Sequence, residues 1–436
     1  MGITKLRVTN FWQQAGAIAI NKYANQAEVQ ITKNELILNV PKKTIFERAK
    51  AKDMLTINQK PWASHIRPFL KQYRIEQLEK FFADAEPGKN VCSYCGRQVK
   101  KLEVDSLVSN PFSVKANNFT NFYGFGSGFK SICEDCQFLG IMAPLALFFT
   151  TSITGRDRRI SYVFPEGKDL EETLLIHNWM SKVGQKSALS NVKLSTKYYP
   201  SSPYETLLLT LYELYKDSGK LFEANYHVIQ IHDQGNTSTV LVNDAFNSAQ
   251  RLQLLFSEME ALGGDLSNFF NAFVIKENGN ISTELREKLS KNILKFLQLE
   301  EFLEMMIFKL GRPIKYLYEF IRAYTKAGGG KVKEEILEIC KKTGEQIGNV
   351  VFEAENFGDL YTLRNSKNIE NFLETLSMMS VKYANEKWTL KLPEEFLRVI
   401  NNPAEWKKAK SLTVIFAVNK YLQRQYARTM NNGGEA

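Results

Sequence analysis

The sequence lacks any apolar run long enough to cross a bilayer. Its longest such run lies around residues 140–149 and is far short of the roughly 20 residues that a membrane helix needs. We interpret this run as a buried helix. The first residues, MGITKLRVTNF, contain no apolar signal-peptide core. These absences predict a cytoplasmic protein that does not bind a membrane.

Histidine is scarce, and this scarcity excludes several kinds of enzyme. The four histidines are His65, His177, His227 and His232, and no two stand in an HxxxH pair. His232-Asp233 has no second histidine–carboxylate cluster with which to build a metal phosphohydrolase site, so we expect His227 and His232 to be ordinary sheet residues. No phosphate-binding loop or dinucleotide-binding glycine motif is present either. We therefore predict that the chain is not an enzyme.

Cysteine is also rare, but its spacing is informative. Cys92 and Cys95 form one CxxC pair, Cys133 and Cys136 form a second, and Cys340 stands alone in a helical pattern. Two residues between thiolates allow a tight turn to present both sulfurs to one metal, and four thiolates complete a closed tetrahedral site. The pattern predicts a structural zinc ion. The alternatives are two unrelated reduced pairs or a redox CxxC.

The net charge of +10 is unevenly distributed along the chain. Residues 1–150 contain 20 Lys and Arg against 12 Asp and Glu, residues 151–300 contain 16 against 18, and residues 301–436 contain 21 against 17. The basic excess is therefore largest in the third that holds the CxxC pairs. This asymmetry indicates a polyanionic partner, and the alternative is a basic surface without a specific partner.

Hydrophobic periodicity predicts an α+β chain, with a mixed α/β N-terminal region that holds a zinc-binding insertion and a C-terminal all-α bundle. The domains are 1–250, with the insertion at 89–140, and 251–436. Alternation predicts a hairpin over 27–40, a strand at 160–164 and a second hairpin over 226–242 that turns at Gln234-Gly235-Asn236. Helical spacing predicts helices at 44–57, 64–84, 206–217, 248–262, 282–298, 299–309, 312–326, 333–356, 366–384, 392–401 and 403–428.

Two segments carry residues suited to nucleic acid. Lysine and arginine neutralise phosphates, whereas asparagine amides can hydrogen-bond to base edges. The first segment is the Asn-, Gly- and Phe-rich middle of the insertion, and the second is a short basic run. The candidates are Lys115, Asn117, Asn118, Asn121, Tyr123, Lys130, Arg156, Arg158 and Arg159. We interpret a third basic run, Lys42–Lys52, as a solvated helix face.

The two CxxC pairs also resemble those that brace an HNH nuclease around an Asp-His dipeptide. The matching dipeptide in this chain is Asp105-Ser106, and no histidine lies between His65 and His177. A hydrolytic centre of this type needs that imidazole to activate water, so the active nuclease is disfavoured. A degenerate relative remains an alternative, as does a stand-alone zinc-containing DNA-binding protein.

The opening VTNFWQQAGAI (8–18) resembles the F-x-x-x-A-G start of the large subunit of type I CRISPR Cascade complexes, Cas eight-b type, Cst branch. The double CxxC around an Asn-rich loop and the helical C-terminal third resemble that family too. Gln13 and Gln14 stand where the family has an acidic residue before Ala-Gly.

This resemblance implies a role in antiviral defence. The chain would join a CRISPR RNA-containing complex with backbone and small subunits, bind double-stranded target DNA, read its protospacer-adjacent motif and help recruit the helicase–nuclease. Guide pairing would read the remaining target sequence. The insertion and Arg156–Arg159 would then read the motif, and the C-terminal bundle would resemble the small subunit.

Overall fold

Strands are concentrated in the first 246 residues, and the remainder is almost entirely helical. The computed structural model describes residues 3–53, 56–57, 60–61, 69, 75–104, 131–154, 157–187, 203–233, 238–277, 280–282, 284–330, 332–385 and 389–432. Two structural units are distinguished. The first contains the described residues before 218 together with Phe222–Asn247, and the second contains Ser218–Leu221 and the residues from Ser248 onward.

The elements of the first unit alternate between short strands and helices. They are β1 (Thr4–Arg7), α1 (Phe11–Tyr23), β2 (Val29–Ile31), β3 (Glu35–Leu38), α2 (Lys42–Asp53), β4 (Thr56–Ile57), β5 (Lys60–Pro61), α3 (Ile75–Leu78), β6 (Pro87–Val91), β7 (Gln98–Val99), β8 (Glu103–Val104), β9 (Ser131–Ile132), α4 (Glu134–Met142), β10 (Phe148–Thr154), β11 (Asp157–Glu166), α5 (Leu170–Ser187), α6 (Pro203–Ser218), β12 (Asn225–Asp233) and β13 (Ser238–Phe246).

The second unit is a set of helices with one small hairpin. Its elements are α7 (Ala249–Ala261), α8 (Leu266–Asn271), β14 (Ile275–Glu277), β15 (Asn280–Ser282), α9 (Glu284–Leu294), α10 (Glu300–Leu310), α11 (Leu317–Lys326), α12 (Glu334–Glu353), α13 (Gly358–Asn365), α14 (Ile369–Asn385), α15 (Glu394–Ile400) and α16 (Trp406–Asn432). Among the described residues, no helix combines the length and apolar character that a membrane crossing requires.

The core of the first unit is built around α1. The Asn10 side chain accepts a 2.9 Å hydrogen bond from the Gln13 N–H and thereby caps the helix. Almost every residue of α1 is buried, because small residues alternate with large apolar ones and let neighbouring elements approach on all sides. A Cβ added at Gly16 would lie 2.1 Å from the Leu139 carbonyl oxygen in α4. Glycine therefore allows the backbones of α1 and α4 to touch.

Two sheets pack in this core. The antiparallel order β1-β3-β2 contains the hairpin that the alternating pattern predicts. The second sheet has the order β10-β11-β12-β13, and all of its pairings are antiparallel. The His227 ring in β12 stacks on Phe11 with centroids 3.9 Å apart, and its Nε2 lies 2.8 Å from a carboxylate oxygen of Glu166. The hydrophobic residues of the N-terminal segment that carries the family resemblance are thus buried.

A close helix crossing fixes part of the second unit. A Cβ at Gly344 in α12 would lie 2.5 Å from the Thr413 carbonyl oxygen, and one at Gly348 would lie 2.3 Å from the Ala417 carbonyl oxygen. The two glycines are four residues apart and share one face of the helix. The backbones of α12 and α16 therefore pack without intervening side chains along this face.

The predicted fold class is confirmed: the N-terminal half is α+β and contains the four cysteines, and the C-terminal region is helical. The predicted buried helix at 140–149 is wrong at its end, since α4 stops at Met142 and β10 begins at Phe148. The predicted 44–57 helix ends at Asp53. Within the predicted helix at 64–84, the described residues are helical over 75–81. Periodicity missed α1, α5, α8, α13 and the β14–β15 hairpin.

Replacing Gly16 by Ala is expected to destabilise the first unit by about 2 kcal/mol. The added methyl group would force the α1 and α4 backbones apart, and this cost exceeds the ~1 kcal/mol that alanine gains in helix propensity. Urea unfolding of the full chain measures the effect. Asn21→Ala in the same helix is the control, because asparagine already carries a Cβ. Equal stability of the two variants would contradict the close approach.

Stability should also depend on pH through His177. Burial lowers the pKa of His177 from 6.5 to about 4, and its Nε2 donates a 2.8 Å hydrogen bond to the Ala146 carbonyl. The unfolded state takes up a proton more readily, so stability is lost as pH falls from 6.5 toward 4, by about 3 kcal/mol at most.

Comparison of the wild type with His177→Gln isolates this effect from the titration of carboxylates. Urea unfolding at several pH values should show the two stability curves converging as the pH falls from 7 to 4. Parallel curves would show that His177 is not the residue responsible.

Candidate metal centre

Four cysteine sulfurs converge in the first unit. Cys92, Cys95, Cys133 and Cys136 are all buried, and their Sγ atoms all lie within 4.8 Å of one another. The Sγ atoms of Cys92 and Cys136 are 3.7 Å apart, as are those of Cys95 and Cys133. A disulfide would need about 2.05 Å. The predicted grouping of the two CxxC pairs is therefore confirmed.

Two different local structures present these sulfurs. Cys92 follows β6, and the chain then turns back so that the Gly96 N–H donates 3.0 Å to the Cys92 carbonyl. Gly96 has φ of +69°, a left-handed conformation that glycine adopts without strain. Cys133 is the N-cap of α4, and its N–H lies 3.4 Å from the Cys92 sulfur. Cys136 belongs to the first turn of that helix.

The geometry and chemistry of these sulfurs fit a metal ion. A metal bound about 2.3 Å from four sulfurs at tetrahedral corners sets the sulfur–sulfur edges near ~3.8 Å. Hydrogen bonds from the thiols of Cys133 and then Cys136 lower the pKa of Cys92 to about 6 and hold the pKa of Cys95 below its usual range. The pKa values of Cys133 and Cys136, whose thiols donate those hydrogen bonds, are raised in turn. Negative charge is therefore favoured on Cys92 and Cys95, and the thiolate is the form that binds metal.

Charged side chains surround the sulfur cluster. Asp135, between the cysteines of the second pair, is buried and forms ion pairs with Lys42 and Arg97. Lys42 comes from α2, and its Nζ also donates 2.8 Å to the Ala83 carbonyl and lies 3.2 Å from a carboxylate oxygen of Asp84. Arg97 also interacts electrostatically with the Cys95 sulfur, so its guanidinium would stabilise the thiolate of that residue.

The first CxxC turn is attached to the N-terminal strand. The Arg97 Nη1 donates 3.0 Å to the Lys5 carbonyl, and the Arg7 Nη1 donates 3.2 Å to the Cys95 carbonyl. The Thr9 hydroxyl donates 3.0 Å to the Tyr94 carbonyl. Because β1 and α1 contribute to the core, the cysteine turn and the core hold each other in place.

The cluster packs against the two short strands that flank residues 105–130 in the sequence. Strand β8, which precedes the segment, pairs antiparallel with β9, which follows it: Glu103 lies opposite Ile132, and Val104 opposite Ser131. The second CxxC pair begins at the next residue. Val104 and Ser131, the residues on either side of 105–130, are therefore held side by side near the sulfurs.

Most of the predicted nucleic-acid contacts, namely Lys115, Asn117, Asn118, Asn121, Tyr123, Lys130 and Arg156, lie outside the described residues. Arg158 is half-buried in β11, opposite the buried Asp233 in β12. Its neighbour Arg159 is exposed, and because strand residues alternate, the two side chains leave opposite faces of the sheet.

The basic run Lys42–Lys52 is only in part the predicted solvated face. Lys42 is fully buried against Asp135, so that part of the prediction is wrong. Arg48 pairs with Glu28, and Lys50 lies 3.3 Å from Glu47. Sequence reasoning missed the role of Lys42 because its partner is 93 residues away. Arg97 follows the CxxCG motif directly, and this position in the sequence was the signal that could have identified a charged residue beside the cysteines.

The sequence matches no protein-family model and no curated protein.

Replacing Cys92 and Cys95 together by Ser should remove one bound metal ion per chain and destabilise the first unit, because the binding energy of a structural site is folding energy. Mass spectrometry under native conditions and elemental analysis measure the metal, and thermal unfolding measures stability. Cys340→Ser is the matched control, since Cys340 is equally buried but lies in the second unit. Equal metal content in both variants would contradict the site.

Proposed function

We propose that the four cysteines bind a structural zinc ion. Four buried sulfurs without an oxygen or nitrogen ligand among them form a donor set typical of closed zinc sites. No position is left open for a substrate or a reactive water, so the ion would brace the fold and take no part in chemistry. Iron is the main competing metal for four thiolates, and it would be distinguished by its absorption spectrum.

We infer further that the first unit is a nucleic-acid-binding module built on this centre. The observation that carries this proposal is that the cysteine cluster packs against the β8–β9 pair, whose strands flank residues 105–130, a stretch of sequence rich in asparagine, glycine and aromatic residues. A rigid attachment at Val104 and Ser131 would lower the entropy cost of positioning the intervening residues on a partner. The basic excess of residues 1–150 supports a polyanionic partner.

Within this class, we propose the large subunit of a type I CRISPR Cascade complex. The support is the VTNFWQQAGAI opening and the order of features along the chain: an α+β region, a double CxxC around an Asn-rich segment, and a helical C-terminal region. In this role the chain would bind double-stranded target DNA, recognise the protospacer-adjacent motif through the 105–130 segment, and help recruit the helicase–nuclease. Its own contribution would be binding, without catalysis.

Arg159 is the strongest described candidate for a phosphate contact, because it is exposed whereas Arg158 faces Asp233. Arg159→Ala together with Lys115→Ala should weaken binding to duplex DNA and lower the slope of log K against log salt by about 0.9 for each phosphate that is no longer neutralised. Fluorescence anisotropy across a salt series measures both quantities.

Lys168→Ala with Lys220→Ala is the matched control, because it removes the same charge at two exposed positions elsewhere. An unchanged salt slope in the Arg159 and Lys115 variant, or an equal change in the control, would contradict specific contacts.

Purification of the tagged chain from its native cells distinguishes the subunit from the alternatives. The proposal expects guide RNA and several protein partners to co-purify. A chain that purifies alone and binds duplex DNA would instead be a stand-alone DNA-binding protein. Metal-dependent cleavage by the isolated chain, abolished by Asp105→Ala, would favour the degenerate HNH-like nuclease.

A further inference from the structure

A polar cavity of about 230 Å³ lies in the second unit, far in sequence from the cysteine cluster. It is bounded by the turn before α11, the first turn of α11, and the facing sides of α12 and α16. This volume is well above the roughly 10–15 Å³ that one water needs, so the cavity admits a solute of several heavy atoms.

Three lysines from three separate elements line this cavity: Lys315 from the turn, Lys341 from α12 and Lys420 from α16. In the described part of the chain, none of the three forms an ion pair with a carboxylate. This contrasts with the neighbouring surface of α16, where Arg424 and Arg428 pair with Glu353 and Glu355. Three lysines against two carboxylates give the lining a net positive charge, which favours an anionic solute.

The walls of the cavity hold the lysines in place. The Lys341 ammonium lies 3.5 Å from the centroid of the Tyr318 ring, and the Lys315 ammonium lies 4.7 Å from that of Tyr316. Such contacts stabilise an ammonium ion without neutralising it. The crossing at Gly344 and Gly348 fixes α12 against α16, so the elements that carry Lys341 and Lys420 keep a constant spacing.

The turn itself is held in an unusual conformation. Asn419 is buried beneath it, accepts 2.7 Å from the Ile314 N–H and donates 3.3 Å to the Ile314 carbonyl. Two residues on, Tyr316 has φ of +60°, which is strained for an aromatic residue. The surrounding contacts thus hold Lys315 and Tyr316 against the cavity at a conformational cost.

Two carboxylates line the cavity beside the lysines, Glu319 and Glu345. They make a bare inorganic anion a poor fit, because it would meet repulsion together with attraction. A phosphate monoester with hydroxyl or amino groups fits better. Its phosphate would meet the ammonium groups, and its donors would hydrogen-bond to the carboxylates.

We propose that this cavity binds the phosphate monoester of a small polar molecule, either a sugar phosphate or a nucleoside monophosphate. The two sources share the phosphate and neighbouring hydroxyl groups. The proposal is independent of the DNA-binding role, since every residue that lines the cavity belongs to the second unit.

Isothermal titration of the full chain at low salt with ribose 5-phosphate, adenosine 5′-monophosphate, adenosine and inorganic phosphate tests the proposal. At least one of the two monoesters should bind saturably, and adenosine and inorganic phosphate should bind at least tenfold more weakly. Which monoester binds more tightly identifies the source. Absence of saturable binding by both monoesters, or equal binding of inorganic phosphate, would overturn the proposal.

Two variants assign the binding to this cavity. Lys341→Gln with Lys420→Gln should weaken monoester binding by about tenfold or more, because removing each charged hydrogen bond is costly. Lys342→Gln with Lys407→Gln removes the same charge from exposed positions outside the cavity and should leave binding unchanged. Equal weakening in both double variants would show a non-specific charge effect and would refute the site.

Glu345→Gln separates the monoester from a simple anion. It should strengthen the binding of inorganic phosphate, because a repulsive charge is removed, but it should weaken monoester binding, because a charged acceptor is removed as well. Thermal unfolding verifies that each variant is folded. Strengthening of both ligands by the same factor would show that the carboxylate has no role in recognition.

Discussion

The convergence of four cysteine sulfurs is the constraint on which the first unit depends. Cys92 and Cys95 lie on a turn after β6, whereas Cys133 and Cys136 begin α4. Between them the chain runs through the 105–130 segment, and the pairing of β8 with β9 is only two residues long. An isolated hairpin of that size is marginal in water. The sulfur cluster therefore supplies the closure that the short strands cannot supply alone.

Buried charged side chains link the cysteine cluster to the core of the first unit. Asp135 pairs with Lys42 and Arg97, and Arg97 also reaches the backbone of β1. Removing an aspartate and a lysine from water is costly, and the pair compensates for that cost only while both partners stay in place. Any movement of α4 relative to α2 or β1 would leave a buried charge without its partner. The charge network thus favours one arrangement of these elements over its alternatives.

The sequence predicted correctly those features that depend on residues close together in the chain. The CxxC pairs were recognisable because two-residue spacing reflects the reach of one turn, and the β2–β3 hairpin because alternation reflects a half-buried strand. The 140–149 run was ambiguous, because a continuous apolar stretch has no period that distinguishes a buried helix from a buried strand. For that reason β10 was missed. Lys42 could not be assigned, because burial of a lysine depends on a partner distant in sequence.

The residues that carry the family resemblance and those suited to contact a partner are different sets. Phe11 stacks on His227, Gly16 touches α4, and the Thr173 hydroxyl donates 2.6 Å to the Gln14 side chain. All of these contacts lie inside the protein. The opening segment therefore indicates how the core packs, and it does not identify what the chain binds. Recognition is better served by exposed residues on a fixed support, such as Arg159, and by segments attached at a rigid base. The core and the cysteine cluster thus determine where β8 and β9, the strands that flank residues 105–130, are held.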